Sequence, residues 1–146
     1  MRLNGRWEQT SSGILVPTIK VEARASDGTW RNASFLIDTG AEISVLRYEL
    51  LYSLQLYPET NDGSSLSGLG GGTTSMRVAT TLRIDRDDGV PVHFHGVFHG
   101  LTDPIELDMS ILGRDILRHF ALIVDRPGLV VTLVTGQHGY RILPNP

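Results

Sequence analysis

The sequence contains no cysteine and only one lysine, Lys20. The lack of cysteine excludes disulfides, thiolate metal ligands and cysteine nucleophiles. Met1 to Thr10 lack the apolar core of a secretory signal, and no run of the chain reaches the roughly 20 apolar residues of a membrane-spanning helix. These absences predict a soluble protein with no membrane segment, and they are compatible with a cytoplasmic location.

A concentrated positive charge is also missing. The formal net charge is -3 at pH 7, with 13 basic residues scattered among 16 acidic ones. Proteins that bind nucleic acid or anionic lipid usually carry a concentrated basic face. The charge pattern therefore predicts no nucleic-acid partner.

The chain does contain many short β-branched and alternating segments. Met76 to Ile84 alternates clearly, with Val78 and Leu82 on one face and Arg77 and Arg83 on the other. Further strands are predicted at Ile14 to Val21, Trp30 to Ile37, Val90 to Phe98, Ala121 to Asp125 and Leu129 to Val134. Helical spacing occurs only at Arg47 to Leu54 and Arg114 to His119. Because no linker or repeat interrupts the pattern, we expect one mostly-β domain over residues 1–146.

The segment with the clearest chemical meaning is Phe35-Leu36-Ile37-Asp38-Thr39-Gly40-Ala41. Three apolar residues lead a carboxylate directly into a turn of small residues. An aspartate at the end of a buried strand is costly unless it is paired or hydrogen-bonded. Backbone N–H groups at Thr39 and Gly40 can approach such a carboxylate closely. Taken alone, the motif is more typical of a turn that ends a strand.

Two further motifs follow Asp38 along the chain. Ser67-Gly68-Leu69-Gly70-Gly71-Gly72-Thr73 is rich in glycine and precedes a well-patterned strand, which predicts the tip of a mobile hairpin. Ile111-Leu112-Gly113-Arg114-Asp115-Ile116-Leu117 places an apolar pair and a glycine directly before a short helix. A phosphate-binding loop would need a lysine and a helix after the glycines, and both are missing.

The order of these three motifs resembles the retropepsin family, the retroviral-type aspartic proteases. The resemblance extends from about residue 14 to residue 134, and the Ile-Leu-Gly-Arg-Asp segment contributes most to it. It implies a closed acid-protease-type β-barrel with a flap hairpin and one or two short helices. It also implies an endopeptidase that acts on protein or peptide substrates, with no metal ion and no organic cofactor.

The resemblance implies a role for each matching residue. Asp38 is the catalytic carboxylate, Thr39 braces the active-site loops across a dimer axis, and Gly40 offers its carbonyl to the substrate. Ala41, Leu69, Gly70 and Gly71 contact the substrate, the last three as part of the flap. Gly113 packs beneath the Asp38 loop, and Arg114 forms an ion pair with Glu42 that holds the helix to that loop.

The mechanism of such an enzyme needs two carboxylates, but the chain has one Asp-Thr-Gly. Asp27, Asp62 and Asp88 are each followed directly by glycine and do not supply a second. Two carboxylates in contact share one proton, because both cannot ionise at that separation. The second aspartate must therefore come from a second chain, and a two-fold homodimer provides it.

Two alternatives from other functional classes remain open. One is a protease-like module that binds or dimerises without turnover, since an intact motif does not guarantee activity. The other is a small β-barrel metal protein. His93 and His95 fall on one face of a predicted strand together with His99, and a His-x-His pair can bind zinc. No further ligand follows at convincing spacing, so a solvent-facing polar surface is the simpler interpretation.

Overall fold

The computed structural model describes residues 1–59, 64–68, 71–104 and 107–135. These residues form the strands β1 (Arg2–Asn4), β2 (Arg6–Gln9), β3 (Leu15–Arg24), β4 (Trp30–Ile37), β5 (Val45–Leu46), β6 (Ser64–Gly68), β7 (Gly71–Asp85), β8 (Pro91–Leu101), β9 (Ser110–Leu112), β10 (Ala121–Asp125) and β11 (Val130–Val134). Two short helices, α1 (Tyr48–Leu54) and α2 (Arg114–Leu117), complete the described part. The prediction of a mostly-β chain with two short helices is confirmed.

Most of the strands belong to one sheet with the order β2-β3-β4-β9-β5-β8-β7-β6. Strand β3 also pairs with β7, so two strands that are far apart in this order lie side by side. This pairing is antiparallel and places Glu22 opposite Arg83 and Ala23 opposite Leu82. A separate three-stranded sheet has the order β1-β11-β10. Strand β10 therefore pairs on one side only among the described residues.

The predicted alternation of β7 decides which side chains enter the core. Val78, Leu82 and Ile84 are buried, whereas Arg77 on the other face is exposed. This follows from the two-residue period of a strand, which sends successive side chains to opposite faces. Thr81 departs from the pattern, because it lies on the polar face and is nevertheless only 8% exposed.

The first two strands have no counterpart in the sequence-based prediction. Strand β1 pairs antiparallel with β11 and places Leu3 opposite Leu133. Both leucines are fully buried. Strand β2 pairs with β3. The prediction missed them because segments of three and four residues are too short to display a period.

Both helices are shorter than predicted. Helix α1 begins one residue later, at Tyr48, and packs Leu50, Leu51 and Leu54 into the core. Helix α2 ends at Leu117 instead of His119. The chain tightens there into turns, in which the N–H of His119 donates to the carbonyl of Ile116. The reason is that β10 begins at residue 121, which leaves no length for another helical turn.

Candidate active site

Strand β4 carries Asp38 to the surface from the middle of the sheet. Phe35 and Ile37 are buried on one face of β4. The strand runs parallel to β9, with Leu36 opposite Ile111 and Ile37 opposite Leu112. Beyond the end of β4, the N–H of Asp38 donates to the carbonyl of Leu112 at 3.1 Å. The first and third sequence motifs are therefore neighbours in the sheet.

The turn after β4 holds the Asp38 carboxylate through backbone donors. Oδ1 accepts hydrogen bonds from the N–H of Gly40 at 2.8 Å and from the N–H of Ala41 at 3.3 Å. No described residue hydrogen-bonds Oδ2. The side chain is half-buried, while Thr39 and Gly40 are exposed. One oxygen of Asp38 is thus anchored, and the other is available to water or to a second carboxylate.

The loop that follows Asp38 is attached to α2 by backbone hydrogen bonds. The N–H of Arg114 donates to the carbonyl of Ala41 at 2.9 Å, and the N–H of Asp115 donates to the carbonyl of Glu42 at 3.2 Å. A Cβ atom at Gly113 would overlap the backbone of Ile43. The loop and the start of α2 can approach this closely only because residue 113 is glycine.

A buried hydroxyl completes the attachment. Ser44 is fully buried, and its Oγ donates to Asp115 Oδ1 at 2.7 Å. The same Oγ accepts from the N–H of Gly113 at 2.9 Å, and the N–H of Ser44 donates to Asp115 Oδ2 at 3.0 Å. Hydrogen bonds to a charged acceptor are stronger than neutral ones. The Asp115 carboxylate therefore attaches the loop after Asp38 to the start of α2.

The predicted ion pair between Glu42 and Arg114 is wrong. It is not among the salt bridges formed by the described residues, and both side chains are exposed. Their backbone groups make the connection that was expected of their side chains. The prediction missed Ser44 altogether and included Asp115 in a motif without giving it a role. The signal available in the sequence was a small hydroxyl residue among apolar ones shortly after Asp38.

The predicted flap coincides with the hairpin of β6 and β7. The two strands are antiparallel, and Gly68 pairs with Gly71, which begins β7. Leu69 and Gly70 lie outside the described residues.

None of the described helices is long and apolar enough to cross a membrane.

Three of the histidines, His93, His95 and His99, lie on β8. His93 and His95 are exposed, and His99 is half-buried. Burial lowers the pKa of His99 below its usual 6.5, and the nearby Arg77 lowers it further, while Asp115 acts in the opposite direction. In the described part of the chain, no three histidine, aspartate or glutamate side chains are grouped so that they could hold a metal ion.

Elsewhere on the surface, hydrogen bonds lower the pKa of Glu8. Burial alone raises the pKa of Glu8, but hydrogen bonds from Ser34, Arg6 and Thr18 together bring it below its usual value. Glu8 lines a cleft of about 620 Å³ with Arg47 and Asp108. Asp38 is not among the residues that line this cleft.

Comparisons with known proteins concern the family and the fold of the chain. The sequence profile of the retroviral aspartyl protease family matches residues 15–124. No curated protein sequence matches the chain. Among solved structures, a retropepsin-like aspartic protease from Rickettsia conorii is similar, with a TM-score of 0.52, 16% identity, and coverage of 91% of this chain and 90% of that one. At this identity the likeness concerns the fold.

A second solved structure is the EIAV protease in complex with the inhibitor HBY-793. It has a TM-score of 0.48 and 27% identity, and the match covers 70% of this chain and 86% of that one. The profile match includes both the Asp38 turn and the Gly113 motif. The chain belongs to the retroviral aspartyl protease family.

Proposed function

We propose that the chain is an aspartic endopeptidase whose active site forms between two copies, each contributing Asp38. The observation that carries this proposal is the state of the Asp38 carboxylate. Its Oδ1 is fixed by two backbone N–H groups, and its Oδ2 has no hydrogen bond from a described residue. A catalytic group must be positioned and accessible at once, and Asp38 meets both conditions.

In the proposed reaction the two carboxylates share one proton. The ionised carboxylate takes a proton from a water molecule, and the water oxygen attacks the carbonyl carbon of the peptide bond. The protonated carboxylate donates its proton to the carbonyl oxygen, which gives a tetrahedral diol. One carboxylate then removes a proton from a diol hydroxyl while the other protonates the amide nitrogen. The C–N bond breaks and releases a carboxylic acid and an amine.

Strand β10 supports the pairing of two copies. It is an edge strand among the described residues, and Ile123 and Val124 on it are 47% and 43% exposed. An exposed apolar edge without lysine or proline is a ready template for another strand. Two β10 strands related by a two-fold axis would join the two small sheets into one. Thr39 is exposed in the single chain and free to contact the second copy.

The substrate that fits this site is an extended peptide. Backbone groups of a peptide can bind as an added strand, with hydrogen bonds from the protein main chain. We assign that role to the carbonyl of Gly40 on one side and to the hairpin of β6 and β7 on the other. Ala41 would lie beside the bound peptide.

A subunit-mixing experiment tests the two-chain site. Asp38→Asn preserves the shape of the side chain but removes its ability to hold or accept the proton. When native and Asp38→Asn proteins exchange subunits, only native pairs keep both carboxylates. Cleavage of a peptide library per total protein should then fall as the square of the native fraction. A linear fall, once exchange is verified by mass-labelled subunits, would show that each chain works alone.

The pH profile and chelator sensitivity separate the proposal from its alternatives. A shared-proton pair predicts a bell-shaped dependence of kcat/KM on pH with an optimum below neutrality, and no effect of a chelator. Activity that rises into alkaline pH and disappears with chelator would indicate a metal-bound hydroxide. A native protein that dimerises but cleaves nothing in the library would be a binding module.

A further inference from the structure

An exposed pair of histidines on β8 has no part in the proposed reaction. His93 and His95 are alternate residues of the strand, so their side chains leave the sheet on the same face. Both are exposed. Their ring centroids are 6.2 Å apart, and the ring planes differ by only 8°. The strand itself therefore presents two stacked imidazoles to solvent, and the exposed His93 ring turns about its side-chain bonds to direct its donor nitrogen toward a metal ion held by His95.

A neighbouring hydroxyl orients one of the rings. Thr81 on β7 lies opposite His95 in the antiparallel register, and its Oγ1 is 2.8 Å from His95 Nδ1. Thr81 is only 8% exposed, although it lies on the polar face of its strand. With Nδ1 engaged by the hydroxyl, Nε2 is the nitrogen left for a ligand. Histidines that bind metals are ordinarily held in this way through their second nitrogen.

The positive charge of Arg83, which lies next to the two histidines, is compensated by the carboxylate of Glu22. Arg83 lies opposite His93 in the register, and a cation there would by itself repel a metal ion. However, Arg83 Nε donates to Glu22 Oε2 at 2.6 Å, and its guanidinium lies 4.2 Å from the ring centroid of Trp30. The carboxylate of Glu22 is therefore engaged in the hydrogen bond with Arg83. The two imidazoles are left as the ligands that this surface offers.

We propose that His93 and His95 together bind one divalent late transition-metal ion, with Thr81 holding the ring of His95. Imidazole nitrogen suits Cu²⁺, Ni²⁺ and Zn²⁺, whereas Ca²⁺ and Mg²⁺ require oxygen ligands. Water occupies the remaining coordination positions. The site is separate from the Asp38 chemistry, and its test does not depend on proteolysis.

Trp30 provides a direct signal for the test, since its ring centroid is 5.9 Å from that of His93. The chain has two tryptophans, so a Trp7→Phe background leaves Trp30 as the single indole emitter. Titration with Cu²⁺ near pH 7.5 should quench Trp30 fluorescence and saturate at one equivalent. His93→Asn and His95→Asn should each weaken binding more than tenfold. Excess Zn²⁺ should compete, and Mg²⁺ should not.

Variants of Thr81 distinguish a built site from two independent surface histidines. Thr81→Val should weaken Cu²⁺ binding by about tenfold, the usual effect of losing a hydrogen bond to a metal ligand, whereas Thr81→Ser should retain it. His119→Asn is the matched control, because it removes an exposed histidine next to Phe94, away from the pair, and should change nothing. Circular dichroism verifies that each variant is folded. Quenching that does not saturate, or that is the same in native protein and His95→Asn, would overturn the proposal.

Discussion

Gly113 is the residue at which the start of α2 meets the loop after Asp38. The space where a Cβ would lie is occupied by the carbonyl carbon and oxygen of Ile43 and the nitrogen of Ser44. These are backbone atoms, which cannot rotate away as a flexible side chain can. The backbone at Gly113 has φ -94°, so its conformation suits any residue and only the close contact requires glycine.

We therefore expect Gly113→Ala to lower the free energy of unfolding by about 3 kcal/mol, near the upper end of ordinary overpacking effects. Gly96→Ala is the matched control, because a Cβ there would meet Phe98 at 3.7 Å, an ordinary contact distance. Urea unfolding of both variants measures the difference. Equal stabilities for the two would mean that the loop can move away from α2 without cost.

The lowered pKa of His99 predicts how the stability of the protein changes in acid. His99 lies on β8 opposite Arg77 of β7 and beside Val45 of β5, and the charged groups that act on it are Arg77 and Asp115. Burial, followed by Arg77, lowers its pKa in the folded protein below 6.5. The folded state therefore favours the neutral ring. The contribution to stability is complete above pH 6.5 and is lost as the pH falls through the lowered folded value.

The expected outcome is that His99→Gln reduces the loss of stability between neutral and mildly acidic pH. The measurement is the free energy of unfolding of native and variant protein across that range. His119→Gln serves as the control, since His119 is exposed. A native curve that parallels the His99→Gln curve throughout would show that His99 does not titrate differently in the folded and unfolded states.

At the scale of elements, the attachment of the Asp38 loop to α2 depends on one side-chain pair. Ser44 and Asp115 share two hydrogen bonds, and the Ser44 hydroxyl also accepts from Gly113. Removing one partner leaves buried polar groups unsatisfied, which costs about 1–3 kcal/mol. The same loop follows directly on Asp38, so its displacement should reach the carboxylate to which we assign the reaction.

We expect Ser44→Ala and Asp115→Ala each to destabilise the protein by about 1–3 kcal/mol, and to lower kcat. The double variant should lose less than the sum, because both changes remove the same interaction. Arg114→Ala should change stability by less than about 0.5 kcal/mol, as is usual for exposed residues. Additive losses in thermal unfolding for Ser44 and Asp115, or a large loss for Arg114→Ala, would contradict this account.

At the scale of the whole molecule, the small sheet of β1, β11 and β10 is the part that the proposed dimer would use. Strand β1 pairs with β11 of its own chain, with Leu3 buried against the core. Strand β1 is also an edge strand of this sheet, but the N–H and C=O of Arg2 on it are hydrogen-bonded to Asp87 of the same chain. Strand β10, at the opposite edge, pairs on one side only among the described residues.

Ile123→Lys should therefore weaken dimerisation, because an exposed lysine on an edge strand opposes strand pairing. Sedimentation of the native and variant proteins over a concentration series measures the shift toward monomer. Val97→Lys is the control, since Val97 is 41% exposed and close to the 47% of Ile123, but lies on β8. Specific activity should decline with the dimer fraction. A dimer that is equally stable in both variants would exclude the β10 edge as the interface.

The sequence by itself determined the features that depend on local period and local chemistry. The alternation of β7, the apolar approach of β4 to Asp38 and the order of the three motifs were all readable, because each depends on neighbouring residues. A strand has the same two-residue period wherever it lies in a fold. This was enough to predict the mostly-β class and the family resemblance.

Only the tertiary structure decided which distant groups meet. The family resemblance implied an ion pair between Arg114 and Glu42, yet the connection runs through backbone groups and through Ser44 and Asp115, which are 71 residues apart. Leu3 is buried opposite Leu133 of β11, and Thr81 is buried on β7 with His95 across from it. Such contacts depend on register and on the approach of separate segments, and no pattern within a single segment specifies either.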